Sequence, residues 1–143
     1  MEKNQVTFES IEVEELRRVL EGIFDAQNEA AGIEKIEDEM IAIAAVYQGK
    51  IAGGLIAKQT YESIYINLLA VDEGYREQRI GSQLMQKIEE IARQREMIHL
   101  TLTTKSYQAL EFYQKNGYEI FGSLEDMPMR GVTKYYLHKR LKA

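Results

Sequence analysis

Cysteine and tryptophan are absent from these 143 residues, histidine occurs twice and proline once. Without cysteine there is no disulfide, no thiolate nucleophile and no thiolate metal site. His99 and His138 are far apart in sequence, and no metal site is expected from them. No apolar run approaches the ~20 residues that span a bilayer. The start Met1-Glu2-Lys3-Asn4 does not read as a secretion signal. A cytoplasmic protein without membrane contact is the expectation. Eighteen basic against 23 acidic side chains leave a net charge of −5. No broad basic footprint exists, and nucleic acid is not an expected partner. Repeats, linkers and low-complexity stretches are also missing.

What remains is 45% apolar and 29% charged, the composition of a globular protein rather than a disordered one. The length suits one domain, placed at 4–142. Gln5 to Phe8 reads as a short first strand. Ser10 reads as a helix cap with Glu12, Glu14 and Glu15 in the first turn. Leu16, Val19, Leu20, Ile23 and Phe24 then recur at three and four residues, a core-facing stripe, and Gly32 stops the helix. Glu29, Glu34, Glu37, Asp38 and Glu39 form an acidic stretch, which as a charge run reads as solvated surface.

Met40 to Tyr47 and Ile51 to Lys58 read as strands joined by the tight turn Gln48-Gly49-Lys50. Gly53-Gly54 inside the second marks a bulge or a close backbone approach. Tyr65 to Val71 is apolar almost throughout, as for a strand covered on both faces. Next come Arg76-Glu77-Gln78-Arg79-Ile80-Gly81-Ser82 and a helix with Ile80, Leu84, Met85, Ile88, Ile91 and Ala92 on one side. A strand, a turn and a helix N-terminus together make an anion site, because the first amides lack intrahelical partners and the dipole is positive there. Gly81 would let a phosphate approach, Ser82 offers a hydroxyl, and Arg76 and Arg79 add cations. An ordinary strand–turn–helix with arginines in water stays open on these features alone. The helix crosses to a strand at Met97 to Thr103, parallel to its predecessor. Ala109, Leu110, Phe112 and Tyr113 form a short helix closed by Asn116-Gly117, and Pro128 sits in a loop before the last strand.

Arg76-x-x-Arg79-x-Gly81 resembles the Q/R-x-x-G-x-G/A signature of the GNAT superfamily of N-acetyltransferases, with Arg79 in place of the first glycine. Ser106 to Tyr118 resembles the family's N-x-x-A-x-x-F/L-Y-x-K-x-G-F/Y pattern, with Ser106 in place of asparagine. The likeness runs from about Phe8 to Leu141. It implies a mixed α/β sheet of six to seven strands, mostly antiparallel with a central parallel pair, and about four helices. It also implies acetyl transfer from acetyl-coenzyme A to a primary amine, on a small molecule or a peptide, by direct attack in a ternary complex. The loop amides from Arg76 to Ser82, Glu77 and Gln78 included, would hold the pyrophosphate, together with Ser106. Leu69, Ala70 and Val71 would supply oxyanion donors, and Tyr113 the acid for the departing thiolate. The family's two base positions fall on Tyr65 and Thr101, neither a carboxylate; a water-mediated base follows, with Glu62 and Glu29 as alternatives. The acceptor pocket would come from the first helix, the loop after it and the loop around Met127 to Arg130. A homodimer through the tyrosine-rich last strand is expected by analogy. A coenzyme A-binding module without useful catalysis is the alternative.

Overall fold

The computed structural model describes residues 5–142, apart from the side chains of Arg76 and Glu77. The chain divides into two compact units, Met1–Ile36 and Glu37–Ala143.

In the first unit, residues 5–12 have no regular structure, so the strand expected at Gln5 to Phe8 is not formed. The helix α1, Val13–Ala30, starts later than Ser10 predicted: Glu12 is its N-cap, without a side-chain capping bond. At the other end Gly32 has φ 76°. Its N–H donates to Glu29 O at 3.0 Å and that of Ile33 to Asn28 O at 2.9 Å, a Schellman closure of the orphan carbonyls. The expected apolar stripe lies on one side of α1, yet none of its residues is buried. The described part of this unit contains no second element that could cover it.

The second unit is a six-stranded sheet in the order β1-β2-β3-β4-β6-β5. β1 (Glu39–Tyr47), β2 (Lys50–Thr60) and β3 (Ser63–Val71) form an antiparallel meander. Gln48 and Gly49, at φ 50° and 78°, make the tight turn with the twist that hairpins favour. A 3-10 segment, Glu73–Gln78, leads into α2 (Ile80–Gln94), which crosses to β4 (His99–Lys105). α3 (Leu110–Lys115), β5 (Glu119–Glu125) and β6 (Thr133–Arg140) complete the chain. The parallel pair is β3 and β4, as the crossover rule requires.

The core lies between the sheet and α2. Ile88, Ala92, Leu55, Ile64, Leu100 and Leu137 are almost wholly removed from solvent, and each large aliphatic side chain among them contributes about 1.5–3 kcal/mol. Within this unit Ile64 and Ile66 of β3 are buried on the face toward α2, while Tyr65, Leu68 and Ala70 point to the opposite face and are exposed. β6 is an inner strand, paired with β4 on one side and β5 on the other.

Candidate active site

β3 and β4 pair through only three residues each, Ser63↔His99, Ile64↔Leu100 and Tyr65↔Thr101. Beyond that the strands part, because each is held by its other neighbour. β4 stays in register with β6 as far as Lys105↔Lys134. β3 stays with β2 as far as Gly53↔Val71, with Asn67 inserted where Ile56↔Leu68 gives way to Ala57↔Ile66. An inserted residue bends its strand. From Ile66 to Ala70 the β4-facing edge of β3 therefore has no ladder, and main-chain groups face the gap. Leu69 and Ala70 lie on this stretch and Val71 at its end. Where the ladder stops, the Tyr65 hydroxyl and Thr103 Oγ1 are 3.4 Å apart across the fork.

Gly53 and Gly54 line the approach. A Cβ on Gly53 would stand 2.7 Å from Ala70 O, and one on Gly54 3.0 Å from Ile43 O. The glycine pair thus marks a close backbone approach, and a shallow apolar concavity of about 530 Å³ opens above it between Ala44, Ile56, Leu68 and Ala70.

At the same end of the sheet the chain turns into α2. The Asp72 N–H donates to Ala52 O at 2.7 Å, and its carboxylate accepts from Gly74 N at 3.3 Å. Arg79, the residue in the place of the motif's first glycine, is left-handed at φ 59°, ψ 26°, and caps α2 without a side-chain bond. The backbone here keeps a glycine's conformation although the side chain is arginine. The amides of Ile80, Gly81 and Ser82 follow as the first turn, without intrahelical acceptors. Ile80 can offer only its amide, because its side chain is buried in the core. A Cβ on Gly81 would stand 3.2 Å from Phe112 Cζ, so the glycine also lets α3 close against α2.

A groove of about 420 Å³ runs past this turn, lined by Arg79, Ser82, Gln83, Gln86, Lys115 and Asn116. It brings together Arg79 and Ser82 and adds Lys115, which sequence reasoning did not single out as a phosphate contact although it sits in the second motif. Gln78 is exposed beside it. The side chains of Arg76 and Glu77 lie outside the described residues. Ser106 is engaged at the end of β4: its N–H donates to Thr133 O at 2.8 Å, and its Oγ accepts from Thr133 N at 3.1 Å.

Tyr113 is half-buried on α3, its ring edge-on to Phe112 at 5.2 Å and Tyr118 at 6.4 Å. Burial pushes its phenol above the ordinary tyrosine value. The hydroxyl of Tyr118 is buried without a partner among the described residues; burial, then the charge of Glu89, raise it much further. For Glu89 burial alone would raise the carboxyl, but hydrogen bonds from Lys139 at 2.5 Å and Arg93 at 3.0 Å outweigh it and hold it below the usual range.

No carboxylate stands on the described strands at the fork. Glu62 precedes β3 at the closed end of the ladder, away from the opening. The two histidines, distant in sequence, are neighbours in space: β4 and β6 bring the rings of His99 and His138 to 5.8 Å. No described group of three or more His, Asp or Glu side chains could hold a metal ion.

The sequence matches the family described as Acetyltransferase (GNAT) over residues 7–118. It is 36% identical over 95 residues to the blasticidin-S acetyltransferase of Streptomyces morookaense, covering 66% of this chain and 69% of that one. A crystal structure of an acetyltransferase from Bacillus cereus ATCC 14579 superposes with a TM-score of 0.83 at 29% identity, over 95% of this chain and 98% of that one. An aminoglycoside 6'-N-acetyltransferase complexed with coenzyme A superposes at 0.66 with 25% identity, over 73% and 74% of the two chains.

Proposed function

The chain belongs to the acetyltransferase (GNAT) family, and from that premise we propose that it transfers the acetyl group of acetyl-coenzyme A to a primary amine by direct attack. One observation carries the reading: the fork between β3 and β4 and the N-terminus of α2 lie at the same end of the sheet, joined by one short segment. A thioester arm suits the fork, where an unpaired β edge offers hydrogen bonds. A pyrophosphate suits the turn, where free amides, the Ser82 hydroxyl and the cations Arg79 and Lys115 converge.

Acetyl-coenzyme A supplies an activated acyl group with a thiolate leaving group. The residues do the rest. Amides along Leu69 to Val71 stabilise the negative charge that develops on the carbonyl oxygen. Tyr113 keeps its proton at neutral pH, as any phenol with a pKa of about 10 does, and burial moves it further in the same direction, so it is an acid rather than a base there. It supplies the proton that the departing sulfur takes as the carbon–sulfur bond breaks and the carbon–nitrogen bond forms. The proton lost by the amine leaves through water, consistent with hydroxyls rather than carboxylates at Tyr65 and Thr101.

Those hydroxyls also favour a second reading, a coenzyme A-binding module with little catalysis. Thermal unfolding with coenzyme A, acetyl-coenzyme A and ATP tests the binding half. A ligand at a hundred times its dissociation constant adds about 2.7 kcal/mol, which Lys115→Ala should reduce. Equal stabilisation by ATP refutes the groove assignment. Thiol release with a panel of amines, in wild type and Tyr113→Phe, then separates the two readings.

A further inference from the structure

The cations of this acidic chain are not distributed evenly between partners. Carboxylates hold Lys58, Lys87, Arg93, Arg95 and Lys139. Arg79 and Lys115 line the phosphate groove. On the face of the sheet opposite the buried Thr104 and Leu137, Lys105, Lys134 and Arg140 have no carboxylate partner among the described residues.

Two of these three face each other. Lys105, the last residue of β4, is in direct register with Lys134 of β6. On the other side Lys134 is in register with Leu124 of β5. Like charges directly opposite in a ladder repel. In a chain with 23 acidic residues neither position has gained one. Lys134 Nζ lies 5.4 Å from the centre of the Tyr136 ring, which steadies the side chain without neutralising it. Arg140, at the far end of β6, donates to His99 Nε2 at 3.3 Å. Glu119, a carboxylate of this face, is in register with His138, four positions along β6 from Lys134, or about 13 Å.

The lysine pair also stands level with the place where transfer is proposed. Tyr65↔Thr101 is the last ladder pair. Four residues on, β4 has reached Lys105, and β3, with Asn67 inserted, has reached Ala70. Ala70 lies in the proposed oxyanion stretch, and Lys105 belongs to the opposite strand of the fork. Between them the floor is Thr101 and Thr103, with Tyr65 on one side and Tyr136, in register with Thr103, on the other.

We infer that Lys105 and Lys134 bind a carboxylate carried by the acceptor, so that the substrate is a small amine bearing its own acid group, an amino acid or short peptide, rather than a polycation. The inference rests on the acetyl-transfer reading and names its substrate class. For a short peptide it also accounts for the hydroxyls in the two base positions. A peptide α-amine has a pKa of about 7.7–8.0, against about 10.4 for a lysine-type amine. Roughly a third of it is neutral at pH 7.5, so water can take the remaining proton without a carboxylate nearby.

The test uses two acceptors that differ in one charge: the dipeptide phenylalanylglycine and its C-terminal amide, with acetyl-coenzyme A in excess and thiol release as the readout. Wild type should favour the acid by about tenfold in kcat/KM, as for a charge-assisted contact. The preference should fall towards unity in Lys105→Gln/Lys134→Gln and reverse in Lys134→Glu, with circular dichroism confirming the fold. Equal or better use of the amide by wild type, a preference that survives in the double variant, or faster acetylation of spermidine or kanamycin than of either dipeptide overturns the inference. Stabilisation by coenzyme A with neither dipeptide acetylated overturns it while leaving the cofactor site standing. Absence of stabilisation by coenzyme A overturns the transferase reading itself.

Discussion

Arg79 combines two properties that one substitution can separate. Its backbone is left-handed, at φ 59° and ψ 26°, which costs a non-glycine residue about 1–2 kcal/mol. Its side chain lines the phosphate groove and adds a cation. Arg79→Gly removes both. Glycine adopts this conformation freely but loses more freedom on folding, about 0.4–1 kcal/mol, so the ligand-free protein should gain about 0.5–1 kcal/mol. For a chain of this size that is a rise of roughly 2–4 °C in Tm. Arg79→Ala removes the cation and keeps the strained backbone, and its ligand-free stability should stay within about 0.5 kcal/mol of wild type.

Binding should show the other half. Arg79 is exposed, so its contact with a phosphate is partly screened and is worth about 1 kcal/mol, near fivefold in Kd. Both variants should weaken coenzyme A alike, and raising salt from 50 to 500 mM should narrow the gap to wild type. Urea unfolding of the ligand-free forms and calorimetric titration with coenzyme A give the two quantities independently. A ligand-free Arg79→Gly no more stable than Arg79→Ala would refute the strain. Unchanged affinity in both would refute the phosphate contact.

Tyr113→Phe should lower kcat by about a hundredfold, the smaller end of general acid catalysis, with coenzyme A affinity within twofold by titration. Gly53→Ala should destabilise by about 1–3 kcal/mol in urea, since its Cβ would stand 2.7 Å from the main-chain oxygen of Ala70 and neither backbone can yield cheaply. Glu89 is held below the usual carboxylate range in the folded state. Its contribution to stability is therefore complete above the unfolded value of about 4.3 and is lost as pH falls through the lower folded value. Glu89→Gln should flatten that acid limb of a Tm-against-pH curve, and an unchanged limb would show that the Lys139 and Arg93 contacts do not favour its ionised form.

Strand and helix order was legible because the signals were local: alternation in β1, the turn at Gln48-Gly49, the period of α2, the Asn116-Gly117 stop. The motif positions were legible because Arg79 and Ser82 are close in sequence. What depended on neighbours was not. The alternation of β3 was hidden because both of its faces are apolar, and only the packing of α2 decides which is buried within this unit. The contact of Gly81 with Phe112, thirty-one residues on, was not announced by anything in one segment. The expected N-terminal strand had apolar residues at Val6 and Phe8, but residues 5–8 take no regular structure. His99 and His138 became neighbours only through the β4–β6 ladder.

Net charge misleads in the same way. A total of −5 favours a cationic acceptor if charge is averaged over the surface. An acceptor at the fork, however, meets the groups within a Debye length, about 8 Å at physiological salt. On α2, Glu89 is engaged with Lys139 and Arg93. Lys105 and Lys134 have no carboxylate partner among the described residues and stand in register with each other. A carboxylate held by that pair meets a local charge opposite in sign to the chain's total. Two measurements made together separate the averaged field from the local one. Under steering by the whole surface, added salt would slow acetylation of spermidine more than that of phenylalanylglycine. Under local recognition, salt would raise KM for the dipeptide acid and leave that for its amide nearly unchanged.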